Sequence, residues 1–447
     1  MAEFHADLAT VSVPRYTSYP TAAEFNGSVG AGQQAAAIDA VRPGEGVSLY
    51  VHVPYCNEIC WYCGCNTGAV GRGDRLPAYV DAVARESELV AKRLKGRVTR
   101  VHFGGGSPNS LAPTEFLLLA EMLRDTFSIG SDAVWAVELD PRGIDPAYAQ
   151  VIAAAGFSRA SLGAQTFSPE IQRRINREQP FAMVAKVAGW LRMAGIAHLN
   201  LDMMYGLPGQ TLDDLTASLN QCLALEPERV AMFGYAHMPR LLPRQRMIAD
   251  DALPGAAARF EQSIAAQELM TGAGYVAIGF DHFARPGDSL EKAARSGRLR
   301  RNFQGFTDDQ DDVLIGLGAS AISQFPGLIV QNEKHVGQYR LRVGNDQLAG
   351  VRGVTRSIGD RVRGEVIERL LCDGRVDVAA IEARYGQPPR LMVTATDALR
   401  ALESRGLLVC DGSTVTVTGE GQPYCRLAAA AFDTFRSGST ERFSRAV

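Results

Sequence analysis

No run in this 447-residue chain approaches the roughly 18 to 20 apolar residues of a membrane-spanning helix. The opening residues, MAEFHADLATVSVPRYTSYP, carry acids and lack the apolar core of a signal peptide, so a cytoplasmic protein is expected. Positive charge is not in surplus: 46 Lys and Arg stand against 49 Asp and Glu, a formal net charge of -3. That balance disfavours nucleic acid as a partner. Histidine is scarce, with 7 residues and no His-x3-His pair. The triple glycine at 104–106 lacks the Gly-Lys-Ser/Thr ending of a phosphate loop, which argues against a nucleoside triphosphate site. A second cysteine pair is missing too, since Cys222, Cys372, Cys410 and Cys425 stand singly. Structural zinc takes four ligands as two separated pairs, so zinc lacks half of its site.

What is present is a concentration of thiols. Four of the 8 cysteines fall in CNEICWYCGC, residues 56 to 65. In a reducing compartment such a group points to metal or redox chemistry rather than disulfides. Cys56, Cys60 and Cys63 form Cys-x3-Cys-x2-Cys, and thiolate is a soft ligand that iron-sulfur clusters prefer. Three thiolates can hold three irons of a 4Fe-4S cube and leave the fourth iron open for chemistry. Cys65 lies two residues past Cys63, and in an extended segment its side chain would face the other way, making it a poor fourth ligand.

Between about residues 45 and 285 the chain repeats one rhythm: a β-branched apolar run, a Gly- or Pro-rich turn, then a helical pattern. The runs are VSLYVHV, VTRVHF, VWAVEL, SRASLGA, AHLNLDMMY, RVAMFGYA and YVAIGF, and helices are expected at 79–94, 113–127, 181–194, 212–225 and 255–271. Strands alternating with helices imply a parallel sheet, and seven runs suit a full or partial α/β barrel. Chemistry in such barrels sits at the C-terminal strand ends. There lie the cysteines, GGGSPN, Glu138, Gln165, Asp202, His237 and DHFARP, which together read as one shared site.

The expected organisation is an arm at 1–44, a barrel at 45–350 and a mostly helical domain at 351–447. In that C-terminal domain a pair of helical patterns precedes LLVCDGSTVTVT, a hairpin whose Asp411-Gly412 suits a tight turn, so the outline is winged-helix-like. Residues 360–447 hold 12 Arg, no Lys and 12 acids, a balance that suits packing rather than DNA binding. Nothing in the sequence requires more than a monomer.

The aromatic Tyr62 just before the third cysteine completes the signature of the radical S-adenosylmethionine (SAM) superfamily. PRYTSYPTA, YVHVPYC, CGCN, GGGSP, VELDPR, INREQ, DMMYGLPGQ, YAHMP, DHFARP, RNFQG, GASAIS and RFSR run in order from residue 14 to 445. Together they resemble the oxygen-independent coproporphyrinogen III oxidase family. The resemblance implies a partial (β/α) radical SAM barrel with an N-terminal arm and a winged-helix-like C-terminal domain. It implies oxidative decarboxylation of two propionates of coproporphyrinogen III to vinyl groups, giving protoporphyrinogen IX. A 5'-deoxyadenosyl radical made from SAM at a 4Fe-4S cluster would start the reaction, and an electron donor and acceptor would be partners. Radical SAM haem chaperones and other tetrapyrrole-acting relatives are the alternative, but chaperone-like relatives usually lack the arm and the fourth cysteine.

By the same resemblance, Cys56, Cys60 and Cys63 ligate the cluster. Tyr50, Gly105, Glu138 and Ile322 belong to the SAM that touches it. Tyr62, Gly106, Ser107, Gln165, Arg177, Asp202 and Ala236 match positions that hold a second SAM. Ser107 stands where the family often has threonine and keeps the hydroxyl. Taken alone, the glycines are equally a flexible turn, and Asp202 a solvated loop acid. His52 is a packed strand histidine or a positioning and proton-transfer group, and Tyr62 and Cys65 join it as catalytic candidates. For the substrate's carboxylates, whose two oxygens an arginine fork can bind, the candidates are Arg15, Arg285, Arg300 and Arg301, each of which also reads as a surface ion pair.

Replacing Cys65 should leave a 4Fe-4S cluster in place while impairing turnover, whereas Cys60→Ser should lose the cluster. Iron content and the visible absorption of the two variants, compared with their rates, test this, and equal iron loss in both would refute it.

Overall fold

The computed structural model describes residues 2–71, 75–436, 443, 445 and 446. Of the terminal RFSR stretch, Arg442 and Ser444 lie outside the described residues. Packing divides the chain into two compact units, Phe25–Asp202 with Asp311–Thr355, called the first unit below, and Met1–Glu24, Met203–Gln310 and Arg356–Val447, the second. Residues of the expected arm and of the expected barrel are thus shared between both units.

Along the chain the main strands are β1 (Gly46–Val53), β2 (Arg97–Gly105), β3 (Val134–Leu139), β4 (Arg159–Gln165), β5 (His198–Tyr205), β6 (Arg229–Gly234), β7 (Val276–Ile278), β8 (His282–Ala284), β9 (Val313–Leu317), β10 (Ile322–Phe325), β11 (Leu328–Asn332) and β12 (Gly350–Thr355). In the first unit the order is β12-β11-β10-β9-β1-β2-β3-β4. The stretch from β9 through β1, β2 and β3 to β4 is parallel, and β9 to β12 pair antiparallel. Helices at Arg75–Ala91, Pro113–Thr126 and Pro146–Ala154 connect the parallel strands, as the alternating pattern demands. Pro113 occupies a first helical turn, where its missing N–H leaves nothing unpaired.

Register sets the site. Val53 pairs with Gly105, so the cysteine loop leaves β1 level with the triple glycine that ends β2. Two side chains of the Arg75–Ala91 helix hold the ends of β1 and β9. Tyr79 donates its hydroxyl to the His52 carbonyl at 2.6 Å and accepts from the Ala319 N–H at 2.9 Å. Glu86, fully buried, accepts from the Gly318 N–H, the Asn332 side-chain amide and the Tyr339 hydroxyl, each at 2.7 Å. Gly318, at φ 98, has room only for hydrogen there, since a Cβ would sit 2.5 Å from the Tyr79 hydroxyl.

In the second unit the seventh run departs from expectation. YVAIGF does not extend a parallel barrel; β7 and β8 form an antiparallel hairpin, and β8 runs antiparallel to β6, His282 opposite Ala231. The chain turns at Gly279, φ 59, so DHFARP begins an added strand instead of following a barrel strand. Its partner in count is VLIGL, which forms β9 beside β1. The C-terminal segment folds as helices Ile358–Asp373, Val378–Arg384 and Leu391–Glu403 with a three-stranded antiparallel sheet whose hairpin turns at Gly412, φ 58. Val13, Tyr16 and Tyr19 of the arm pack with Val362, Val366 and Leu370 in this unit's core. Among the described residues no helix is long and apolar enough to cross a membrane.

Burial pushes the Glu86 carboxyl up to about 7 from its ordinary 4.5, against the pull of its three donors. A raised carboxyl stabilises the fold below 4.5 and loses that contribution as pH rises through 7. Glu86→Gln should therefore remove about 2 kcal/mol of the fall in stability between pH 5 and 7.5. Urea unfolding of both proteins at those two pH values measures it.

Candidate active site

The cysteine loop is fastened along its whole length. Tyr55–Cys56 pairs with Gly68–Ala69, closing the loop on itself. The Trp61 N–H donates to the Ile175 carbonyl at 3.0 Å, and Asn176, at φ 53, donates its side-chain amide to the Ile59 carbonyl at 2.8 Å. The far end is tied to β1 by His52, whose Nε2–H donates to the Asn66 carbonyl at 3.1 Å. That bond leaves Nδ1 as the acceptor for the Tyr50 hydroxyl at 3.2 Å. Burial holds the His52 imidazole below its ordinary value, so it serves as a neutral bridge.

Each glycine of the triplet makes room for a different protein group. A Cβ on Gly104 would meet the Glu138 carboxyl at 2.8 Å, one on Gly105 the His52 ring at 2.6 Å, and one on Gly106 the Tyr55 carbonyl at 2.6 Å. Gly105 also holds φ 113, open to glycine and strained for other residues. The next residue, Ser107, donates its N–H to the Tyr55 carbonyl at 2.7 Å and its hydroxyl to Asn109 at 2.8 Å.

Glu138, at the end of β3, pairs with His102 Nε2 at 3.0 Å and accepts from the Gly105 N–H at 3.3 Å. Burial alone would raise this carboxyl, but the His102 bond and charge outweigh it and hold Glu138 below the usual range. Tyr50 stacks on His102 with ring centroids 5.8 Å apart.

Asp140 is the anchor that sequence reasoning did not single out. Its carboxylate takes Arg142 at 2.7 Å and Arg177 at 3.3 Å. Both guanidinium groups also reach the Cys60 sulfur, at 3.5 and 3.3 Å, and Arg177 donates to the Gly163 carbonyl at 2.7 Å. Burial would raise Asp140, yet the charge of Arg177 and the bonds from Arg142 bring it below its ordinary value. The available signal was Asp-Pro-Arg itself, where Asp140 caps the short helix by accepting the Arg142 N–H.

Cys56 accepts from or donates to the Thr67 hydroxyl at 3.2 Å, and burial pushes its thiol up to about 11, so binding of a metal must displace its proton to solvent. Cys65 does not face away from the ligand trio as expected. The chain bends at Cys65–Asn66, the Cys65 N–H points to the Cys63 sulfur at 3.4 Å, and the Cys63 thiol raises that of Cys65. Alternation of side chains holds only in extended backbone. Among the described residues no three His, Cys, Asp or Glu meet closely enough to share one metal ion. Three separate thiols on one anchored loop, with two cations on Cys60, instead fit a cluster in which each thiolate takes its own iron.

The other candidates of the first unit line the strand ends. Gln165 closes β4 at φ 61 and is buried. Asp202 is not a solvated loop acid: it lies on β5 and accepts from Ser161 at 2.9 Å and Asn200 at 2.7 Å. Ile322 opens β10, where its backbone lies 2.6 Å from where a Cβ of Gly316 would be. Burial raises the Tyr62 phenol well above its ordinary value, with Arg177 beside it pulling the other way. In the second unit, Ala236 receives the Gln245 side-chain amide on its carbonyl at 3.1 Å. Arg285 pairs with Glu226 at 3.7 Å, Arg300 with Glu368 at 3.1 Å, and Arg301 is buried between Phe280 and Phe306. Arg15 donates to the Gly234 carbonyl.

The fold and the thiol loop define the class first: residues 50–222 match the Radical SAM superfamily. A curated oxygen-independent coproporphyrinogen III oxidase of Bradyrhizobium diazoefficiens is 43% identical over 99% of this chain and 100% of its own length. One of Escherichia coli is 37% identical over 99% of this chain and 98% of its own. A solved structure described as coproporphyrinogen III oxidase (HemN) from Escherichia coli, a radical SAM enzyme, superposes with a TM-score of 0.89 at 35% identity, covering 94% of this chain and 97% of that one. The chain belongs to the oxygen-independent coproporphyrinogen III oxidase family, and its fold is the α/β radical SAM fold.

Asp140→Asn should cost about 3 kcal/mol, because the buried Arg177 loses the carboxylate beside it and Arg142 keeps only Glu58. Faster loss of iron to a chelator should accompany it. Since the Asp140 carboxyl is lowered, its contribution is present above the ordinary 3.8 and lost only as pH falls below it. Chelator release rates of the parent protein should accordingly show no dependence on this group between pH 6 and 8.

Proposed function

We propose that this protein is a radical SAM oxidoreductase that converts two propionate side chains of coproporphyrinogen III to vinyl groups without oxygen, giving protoporphyrinogen IX. The observation that supports it best is the seat of the three-thiol loop beside Gly104–Gly106, in a chain that resembles such oxidases over nearly its full length. Cys56, Cys60 and Cys63 would hold a 4Fe-4S cluster, which supplies the electron that splits SAM and yields the 5'-deoxyadenosyl radical.

The residues divide the remaining work. Arg142 and Arg177 donate to the Cys60 sulfur and place positive charge beside the position of the cluster. Glu138, kept ionised by His102, offers an acceptor for the SAM amino group, with Tyr50, Gly105 and Ile322 around it. The neutral Tyr50–His52 pair holds the loop without adding charge. Tyr62, Gly106, Ser107, Gln165, Arg177 and Asp202 are proposed for a second SAM. Asp202, which accepts from Ser161 and Asn200, is a carboxylate of the kind that binds adenosine hydroxyls.

The test is anaerobic turnover of the reconstituted protein with SAM, a strong reductant and an electron acceptor. Each vinyl group formed should be matched by one carbon dioxide and one 5'-deoxyadenosine. Tight haem binding with no SAM-dependent decarboxylation would overturn the assignment in favour of a haem chaperone.

A further inference from the structure

The second unit carries a pocket open to solvent whose charged lining is lopsided. Arg15, Arg259, Arg426 and Arg445 border it, and Asp281 is the one acid among the lining residues. Asp281 is already engaged, accepting from His282 Nδ1 at 2.6 Å.

Carbonyls and ring faces hold these arginines. Arg15 donates to the Gly234 carbonyl and lies 5.9 Å over the Phe233 ring. Arg259 lies 5.7 Å over the Tyr205 ring, and its buried Nε has no hydrogen-bond partner. Arg426, also buried, donates to the carbonyls of Arg445 and Ala446. Among the described residues no carboxylate pairs with Arg15 or Arg259. Gly206 and Gly234 make space for the Arg259 guanidinium, since a Cβ on either would come within 2.2 and 3.2 Å of its nitrogens. Burial, then the charge of Arg15, lowers Arg426 to about 10, and burial with Arg15 and Arg445 lowers Arg259.

Clustered, partly desolvated cations with a single acid among them, itself engaged by His282, are unfavourable unless a further anion completes them. Guanidinium forks suit carboxylate oxygens best. We propose that this cavity is a carboxylate-binding site that takes a propionate arm of the tetrapyrrole, with Arg15 and Arg259 as its donors and Arg426 adding its charge beside them. The identity of the carboxylate rests on the proposed function; the site itself does not. Two of the three arginines carry no signature in the sequence, because the arm, a helix and the C-terminal segment bring them together only in the folded unit.

The probe is coproporphyrin III, the stable oxidised form of the tetrapyrrole, titrated into the anaerobic holoprotein and followed by its fluorescence, with its tetramethyl ester as control. Arg259→Gln and Arg15→Gln should each weaken coproporphyrin binding by roughly tenfold or more, leave ester binding unchanged, and leave iron content and SAM affinity unchanged. Arg259→Lys should recover some of the loss. Unchanged coproporphyrin affinity in both Gln variants, or no binding by the parent protein, overturns the proposal. So does a fall in SAM affinity in place of coproporphyrin affinity, which would assign the cavity to the SAM carboxylate. Binding is read without turnover, so a parent protein that binds coproporphyrin through these arginines yet releases no carbon dioxide refutes the proposed function alone.

Discussion

Two guanidinium groups held side by side over one sulfur repel each other, and Asp140 is what keeps them there. Its carboxylate lies between Arg142 and Arg177, and the pair carries its charge to Cys60. In a buried setting such an arrangement is stable only as a complete set, since removing any member leaves an uncompensated charge. The thiol loop inherits its position from that set, and the glycine triplet and Glu138 take theirs from the register of β1, β2 and β3. A short polar network thus does for the loop what apolar packing does for the strands.

The local signals in the sequence were strong where they rest on short-range chemistry. Helices near 113–126, 181–193 and 212–224 follow from apolar spacing and first-turn residues. The hairpin at Asp411-Gly412 follows from turn chemistry. Pairing between distant segments was not legible. VLIGL is a five-residue apolar run like many others, and nothing in it says that it lies beside VSLYVHV. YVAIGF reads like its predecessors because an antiparallel edge strand and a parallel one share the same composition.

The site was legible as residue types and less so as roles. The three thiols and Glu138 stand at strand ends as their placement implied. The glycines, read as space for a ligand, prove also to be space for Glu138, His52 and Tyr55, which is a reason the triplet admits no side chain. Cys65 departs from its expected direction because the backbone bends there, and side chains alternate only along extended chain. Asp140 and Arg142 carry no mark in the sequence beyond Asp-Pro-Arg itself, because charged residues after a strand usually face water, and only the fold makes these largely buried.

The parallel pairing of Val47 with Val313 has a consequence for how the protein is made. On a ribosome, β1 and its thiols emerge early, but one edge of that strand stays open until residues 313–317 follow. The Tyr79 and Glu86 side chains wait for the same segment, since Ala319, Gly318 and Asn332 complete their bonds. Non-local closure of this kind is slow to form and leaves an unpaired strand edge exposed meanwhile. Strand β1 therefore gains its second neighbour only after about three quarters of the chain exists, whereas the partners that hold the cysteine loop, Ile175, Asn176 and Arg177, emerge well before it, so the thiols are held on a strand with one edge still open.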